Sequence, residues 1–315
     1  MTGDTDHHVA PGSDAIYSPA LRSATVAVIV PAYDEQDAIR STVEHVRSAL
    51  TAARIVHEIV VVNDGSDDET AAQARAARAQ VIDFPDNIGY GHALKAGIAA
   101  TDSDLVAILD ADGTYPPEAL PAMIAMAEHA DMVVGDRGAA MNNVPWVRRP
   151  AKWLLKLLAS IVAQRRINDV NSGLRVFRRK ALEQFIPLLP DGYSFTTTIT
   201  LCMLATNLTV VYHPIDYRRR IGHSKIRARH FVKFIFLVVR LTVFFQPLRI
   251  FLPLGAILLL AGAAKAIADA SLSATAAFAM LSAILVWSLG LLADMITRLH
   301  LRPQAPRRIG GSWRR

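Results

Sequence analysis

Short apolar runs alternate with segments of helical periodicity through the first half of the chain. The run TVAVIV (25–30) is continuous and rich in β-branched residues, which is typical of a strand buried on both faces. A helical pattern follows over about 37–51, and HEIVVVND (57–64) predicts a second strand. The same alternation then predicts a strand at 79–84, a helix at 91–101, a strand at 104–110, a helix at 117–129 and a strand at 131–136.

Polar side chains follow the predicted strands at the point where each strand ends. Strands that alternate with helices predict an α/β domain with a mostly parallel sheet and right-handed crossovers. Ligands bind such sheets at the carboxyl ends of the strands. The residues at these ends are Tyr33, Asp34 and Glu35; Asn63 and Asp64; Asp110 and Asp112; and Asp136 and Arg137. We therefore expect them to form one ligand site.

The segment LVAILDADGTYPP (105–117) ends a buried run in two carboxylates, Asp110 and Asp112. Neighbouring carboxylates repel each other unless a cation neutralises them. Mg²⁺ and Mn²⁺ prefer hard oxygen ligands and often share them with substrate phosphates. The pair predicts a Mg²⁺ or Mn²⁺ site that grips a diphosphate, and a turn or a helix cap is the alternative explanation.

Two long apolar segments occupy the last third of the chain. Residues 271–293 carry no charge, and they are long enough to cross a bilayer core of about 30 Å. Residues 250–268 are nearly as apolar, with Lys265 close to their end. We predict two membrane-spanning helices joined by a link around Asp269. A buried helix pair in a soluble protein is the alternative, and the basic flanks argue against it.

The net charge of +6 is unevenly distributed. Basic runs without an acid lie at 218–233 and 298–315, and we assign them to a membrane surface rather than to nucleic acid. Arginines flank both predicted spans but not the link, which predicts an inner-membrane protein with its domain and both termini in the cytoplasm. Apolar segments with basic residues at 146–166 and 230–248 predict helices in the membrane interface, with packing on the core as the alternative for the first.

These features divide the chain into five segments. Residues 1–23 form a polar tail without the apolar stretch of a secretory signal. The α/β domain spans 24–229, an interfacial amphipathic helix 230–248, the two transmembrane helices 249–299 and a basic tail 300–315. The single cysteine, Cys202, fits a reducing compartment.

Seven motifs then follow one another in a consistent order. They are VPAYDE (30–35), VVNDGSDD (61–68), NIGYGHALKAG (87–97), DADGTYPPE (110–118), VGDR (134–137), DVNSGLRVF (169–177) and RRRIGHSK (218–225). With the interfacial helix and the two spans, they resemble family 2 glycosyltransferases, and more narrowly the polyprenyl-phosphate glycosyltransferases that include dolichol-phosphate mannose synthases. The resemblance implies a GT-A fold, a UDP- or GDP-linked sugar donor, a polyprenyl phosphate acceptor and transfer with inversion at the cytoplasmic membrane face.

The resemblance also implies roles for individual residues. The nucleoside pocket would include Pro31, Tyr33, Glu35 and Asp64, with Lys95 nearby. Asp110 and Asp112 would hold the metal and the diphosphate. The acceptor phosphate and the departing diphosphate would contact Arg137, Arg148 or Arg149, Arg219, Ser224 and Lys225. The sugar and acceptor site would be shaped by Asp169, Ser172 and Arg175. Thr114 departs from the glutamine common in the mannose synthases, which leaves the sugar open.

Three other functions compete with this interpretation. A processive polysaccharide synthase would carry a Q-x-x-R-W motif and a carboxylate base for a hydroxyl acceptor, and the sequence has neither. A non-catalytic membrane scaffold would not need Asp110, Asp112 and Arg137. A dinucleotide-binding domain needs a glycine-rich loop after its first strand, where this chain has PAYDE. The expected partners are the sugar donor, the lipid phosphate and the bilayer, and a homo-oligomer is left open.

Overall fold

The structure is a computed structural model that describes residues 24–138, 168–192, 194–218, 243 and 246–300, with the backbone alone at 298–300. Several predicted features lie outside these residues: the tail 1–23, the interfacial segment 146–166, nearly all of the interfacial segment 230–248 and the basic tail after 300. The chain divides into two compact units, an α/β domain and a unit that contains two long C-terminal helices.

The described residues contain the following elements in chain order. They are β1 (Val26–Ala32), α1 (Ile39–Ala52), β2 (His57–Asp64), α2 (Thr70–Ala76), β3 (Gln80–Phe84), α3 (Tyr90–Ala99), β4 (Leu105–Ile108), α4 (Leu120–Met126), β5 (Met132–Asp136), β6 (Arg175–Arg178), α5 (Arg179–Glu183), α6 (Phe195–Ala205), β7 (Val210–Pro214), α7 (Leu248–Ala268) and α8 (Ala274–His300). Short 3-10 helices cover Pro117–Ala119 and Ile186–Leu188.

Seven strands within the described ranges form one sheet, in the order β3-β2-β1-β4-β6-β5-β7. Neighbouring strands pair in parallel except where β6 meets β4 and β5. The mostly parallel α/β sheet predicted from the sequence is therefore confirmed. The reversed strand, β6, was not predicted, because its four residues are too short to show an apolar pattern of their own.

The reversal of β6 determines which loops share an edge of the sheet. Arg175, the first residue of β6, pairs with Ile108 at the end of β4 and with Val134 of β5. The loop that precedes β6 therefore lies at the carboxyl ends of the parallel strands. This places residues 168–174 beside the loops that follow β4 and β5.

The domain core forms where the predicted apolar runs meet the amphipathic helices. Every residue of β1 is buried, as expected for a central strand covered on both faces. One stripe of α1 packs on this sheet through Ile39, Val43, Val46 and Leu50, which recur at helical spacing. This packing fixes the strand ends from which the candidate site residues extend.

The element boundaries differ slightly from the predicted ones. The predicted first strand ends at Val30, but β1 continues through Pro31 to Ala32 by pairing with β2. Proline has no N–H to donate, and this costs no hydrogen bond to β4, because the pairing of β1 with β4 already stops at Ile29. The predicted helix at 117–129 is a 3-10 turn followed by the short α4.

The two C-terminal helices are each long and apolar enough to cross a membrane, and an 18-residue window within each has a mean hydropathy of 2.1. Glycines let them approach closely: a Cβ added at Gly255 would lie 2.2 Å from Trp287, and one at Gly290 would lie 2.5 Å from Phe251. The Trp287 indole N–H also donates to the carbonyl of Leu252 at 3.0 Å. The helical pair predicted from the two apolar segments is confirmed.

Candidate functional site

Asp110 lies directly after β4 and is contacted from two sides. The Tyr90 hydroxyl, at the start of α3, donates to Asp110 Oδ1 at 2.9 Å. On the other side, a Cβ added at Gly173 would lie 2.2 Å from Asp110 Oδ2, so only glycine lets the backbone come so close to this carboxylate. Three separate parts of the chain therefore meet at Asp110.

Asp112 is buried and is held by its own loop. Its Oδ1 accepts the Thr114 hydroxyl at 2.6 Å and the Thr114 backbone N–H at 3.1 Å. Gly113 between them has a φ of +71°, a left-handed conformation that favours glycine. The residue that departs from the expected glutamine, Thr114, thus orients the second aspartate.

Arg137 and Asp169 form a bidentate ion pair between the loops that follow β5 and precede β6. Nε donates to Oδ2 at 2.7 Å and Nη2 donates to Oδ1 at 2.8 Å. The Arg137 guanidinium also lies 5.4 Å from the centroid of the Tyr217 ring. The sequence predicted both charges in the site, and the structure shows that Asp169 orients Arg137.

Arg175 and Ser172 have no exposed surface, and their expected role in shaping the sugar and acceptor site stays a prediction. The Arg175 guanidinium donates to the carbonyls of Ser172 and Val170, at 2.8 Å each, and to the Thr200 hydroxyl at 2.6 Å. It therefore holds the loop before β6 in place from beneath the surface.

Four residues predicted to line a nucleoside pocket lie within or shortly after β1 and β2. Pro31 is buried within β1, Tyr33 and Glu35 are half-buried, and the Glu35 backbone N–H donates to Thr70 Oγ1 at 2.9 Å. Asp64 accepts the backbone N–H groups of Ile88 and Gly89 at 2.9 Å each, so its carboxylate fixes the segment before α3. Contact of these residues with a nucleoside stays a prediction.

Of the remaining predicted site residues, only Lys95 lies within the described part of the chain. Lys95 Nζ forms an ion pair with Asp191 Oδ1 at 2.8 Å, so its ammonium is engaged within the protein. Arg148, Arg149, Arg219, Ser224 and Lys225 lie outside the described residues. Their predicted contacts with the acceptor phosphate and the departing diphosphate stay predictions.

Burial and charge pairing shift the pKa values of several site groups. Burial alone would raise the pKa of Asp169, but the hydrogen bonds and charge of Arg137 outweigh it and keep that pKa below its usual value. Burial opposes the charge of Arg137 as well, and Asp169 more than compensates, so the pKa of Arg137 is raised. Both groups therefore keep their charges at neutral pH.

The carboxylates suit a metal site that is only partly built by protein. Within the described ranges, no three His, Cys, Asp or Glu side chains converge on a common point. Mg²⁺ commonly binds through one or two carboxylates and completes its shell with water and substrate phosphates. Asp110 and Asp112 are hard oxygen donors that fit this type of site.

Sequence reasoning missed four residues that organise the site. They are Tyr90, Gly173, Thr114 and Tyr115, whose hydroxyl oxygen accepts the Gly173 backbone N–H at 2.7 Å. All four stand inside motifs that the sequence shows. The contacts of Tyr90, Gly173 and Tyr115 depend on which segments meet in space, whereas Thr114 acts within the loop of Asp112.

Comparison with known proteins identifies relatives over both parts of the chain. Residues 27–186 match the family described as Glycosyl transferase family 2, and residues 246–299 match the GtrB C-terminal hairpin. A dolichyl-phosphate hexose transferase of Haloferax volcanii is 34% identical over 203 residues, 64% of this chain and 86% of that protein. An undecaprenyl-phosphate 4-deoxy-4-formamido-L-arabinose transferase of Serratia proteamaculans is 29% identical over 253 residues, 75% of this chain and 73% of that protein.

Among solved structures, glucosyl-3-phosphoglycerate synthase from Mycobacterium tuberculosis has a similar fold, with a TM-score of 0.58 and 20% identity. The match covers 75% of this chain and 85% of that one, which supports the GT-A fold. The carboxylates lie at the carboxyl edge of such a sheet, the family match covers half of the chain, and the hairpin matches as well. The chain is therefore a glycosyltransferase and belongs to glycosyltransferase family 2.

Proposed function

We propose that this enzyme transfers a sugar from a UDP- or GDP-linked donor to a polyprenyl phosphate, with inversion at the anomeric carbon, at the cytoplasmic face of a membrane. The observation that carries the proposal is the meeting of the Asp110 loop with the loop that contains Asp169. The two relatives named above are transferases that act on lipid-linked phosphates according to their names. The two long apolar helices suit an enzyme whose acceptor resides in a bilayer.

A divalent cation is part of this proposal, and Asp110 and Asp112 are the residues that would hold it. When bound, Mg²⁺ or Mn²⁺ would neutralise the negative charge of the donor diphosphate. Thr114 keeps the Asp112 carboxylate in a fixed orientation, and Tyr90 does the same for Asp110. Both carboxylates are thus preorganised before any ligand arrives.

Arg137 supplies a fixed positive charge on the same edge of the sheet. Its bidentate pairing with Asp169 prevents it from rotating, and burial strengthens its field because little water screens it. A guanidinium can bind phosphate oxygens through its remaining N–H groups. We assign Arg137 to the orientation of an anionic substrate group, either the acceptor phosphate or the departing diphosphate.

The proposed reaction requires no strong general base. A phosphate oxygen of the acceptor, already ionised, forms a bond to the anomeric carbon, while the bond from that carbon to the donor diphosphate oxygen breaks. The leaving nucleoside diphosphate takes the electron pair of the broken bond. Alignment and charge neutralisation are therefore the main requirements, which fits a site of carboxylates and arginines.

The experiment that tests the proposal uses the full chain in detergent with polyprenyl phosphate and Mg²⁺ or Mn²⁺. A panel of radiolabelled UDP- and GDP-sugars is supplied, and label is counted in the lipid phase. We expect one donor to label the lipid and excess chelator to stop the reaction. Label in a polymer instead would favour a polysaccharide synthase, and no lipid label with any donor would contradict the proposal.

A further inference from the structure

Tyr90 is the one site tyrosine whose hydroxyl donates to a predicted metal ligand within the described residues. Its hydroxyl reaches Asp110 Oδ1 at 2.9 Å across 20 positions of sequence. Gly173 closes the opposite side of the same carboxylate, where a Cβ would lie 2.2 Å from Oδ2. The Asp110 side chain is thereby confined between a hydrogen-bond donor and a backbone surface.

The backbone around Tyr90 is itself anchored at several points. Asp64 accepts the N–H groups of the two residues just before Tyr90, and the carbonyl of Asp191 accepts the His92 N–H at 3.1 Å. A Cβ added at Gly91 would lie 2.1 Å from the carbonyl of Pro190. The start of α3 therefore has little freedom to shift, and the Tyr90 hydroxyl reaches Asp110 from a fixed base.

The Tyr90 hydroxyl acts as the donor in this bond. A carboxylate oxygen accepts hydrogen bonds, so the phenol proton points to Asp110 Oδ1. A phenylalanine at this position would leave the ring in place and remove only the donor.

We propose that Tyr90 is a positioning residue that holds the Asp110 carboxylate in the orientation needed to bind a divalent cation. This role rests on the proposed function, since it assumes that Asp110 serves as a metal ligand. Hydrogen-bond partners of metal-binding carboxylates orient those ligands, and their loss typically weakens metal affinity. The bond also links α3, which Asp64 anchors, to the loop after β4.

The test measures Mn²⁺ affinity by electron paramagnetic resonance on the full-length protein in detergent, with UDP or with GDP present. We expect Tyr90→Phe to weaken Mn²⁺ binding by about 10- to 100-fold. The matched control is Ser103→Ala. This variant also removes a hydrogen bond from a hydroxyl to a carboxylate, because Ser103 donates to Glu58 at 2.6 Å. Ser103 precedes the first residue of β4, at the end of the strand opposite to Asp110. Ser103→Ala should keep the wild-type affinity.

A second pair of variants keeps the test sharp if Tyr90→Phe also lowers stability. Asp110→Ala alone should weaken Mn²⁺ binding, and adding Tyr90→Phe to it should cause no further loss, because Tyr90 acts through Asp110. A further loss in the double variant would overturn the proposed role. So would wild-type affinity in Tyr90→Phe, or an equal loss in Ser103→Ala.

The outcome also separates this role from the proposed function. If wild-type protein and Tyr90→Phe bind Mn²⁺ equally well, the role of Tyr90 is contradicted and the proposed function is not. Wild-type protein that binds no Mn²⁺ with either nucleotide contradicts the metal site itself, and with it both proposals.

Discussion

The central strand of the sheet and the two C-terminal helices are all strongly apolar in sequence, but they bury different residues. In β1 every side chain is buried, including the consecutive Val28, Ile29 and Val30. In α7 and α8 the large side chains such as Leu260, Ile267 and Phe278 are exposed, and the buried positions are small: Gly255, Gly262, Ala276, Ala283 and Gly290.

This difference is what we expect if the two regions are built for different solvents. In water, apolar side chains are stabilised by burial, so large ones fill the core. In lipid the tails are as apolar as leucine, so helices associate through small residues that let the backbones come close. We therefore expect the apolar strand to form a core and the exposed apolar faces of the helices to contact lipid.

Charged side chains are also arranged differently in the α/β domain and in the two C-terminal helices. In the α/β domain, buried charges such as Arg137, Asp169 and Arg175 each have specific partners. Along the described parts of α7 and α8, one ion pair, Lys265 with Asp269 at 2.7 Å, lies at the end next to the link. The domain can hold charges because its folded backbone and side chains replace the water that they lose.

The largest effect on stability is expected from breaking the buried ion pair of the domain. Arg137→Ala leaves the Asp169 carboxylate buried without its partner and should cost about 3–5 kcal/mol of stability, seen in thermal unfolding. The control is Arg40→Ala, because the Arg40–Glu44 pair at 3.0 Å is more than half exposed and should contribute at most about 1 kcal/mol. Equal effects of the two variants would contradict the distinction.

A smaller effect should follow from placing a charge on the exposed face of α7. Ile257 is 63% exposed and Val56, in the α/β domain, is 57% exposed. Ile257→Arg should cost about 2.5–3.5 kcal/mol of membrane insertion, because arginine near the centre of a span is costly. Val56→Arg should change stability by no more than about 0.5 kcal/mol, because that side chain faces water.

The two arginine variants are compared by the fraction of protein recovered in membranes. We expect the Ile257 variant to be depleted and the Val56 variant to match wild type. Equal recovery of both variants would mean that the exposed face of α7 does not face lipid.

The smallest effect concerns the hydroxyl that orients Asp112. Thr114→Val keeps the side-chain shape but removes the 2.6 Å bond to the carboxylate, and it should cost about 1.5–3 kcal/mol, because the acceptor is charged and buried. The control is Thr275→Val at the start of α8, where the hydroxyl is exposed and its loss should change stability by no more than about 0.5 kcal/mol. Thermal unfolding of both variants decides whether the buried hydroxyl matters more.

β1 to β5, the helical pair and the positions of the aspartates could be predicted because each leaves a local pattern, whereas β6 and β7 were not predicted. The apolar run of β1 and the charge-free residues 271–293 are each visible within one window of sequence. The partners of Asp110 could not be predicted, because Tyr90 and Gly173 are distant in sequence and meet it only in the fold. Gly173 comes close because the reversed strand β6 brings its loop to the end of β4. The complete burial of Arg175 and its bond to Thr200 of α6 leave no local pattern either.

The most direct test of the carboxylate site compares Asp112→Ala with wild type in the same membrane preparation. Polyprenyl phosphate and the donor identified from the panel are supplied, and label in the lipid phase is counted while membrane-bound protein is quantified in parallel. We predict that lipid labelling falls by at least about 100-fold while membrane association is unchanged, because the site and the helical pair are separate structures. Wild-type labelling by Asp112→Ala would contradict the role of the aspartates in transfer.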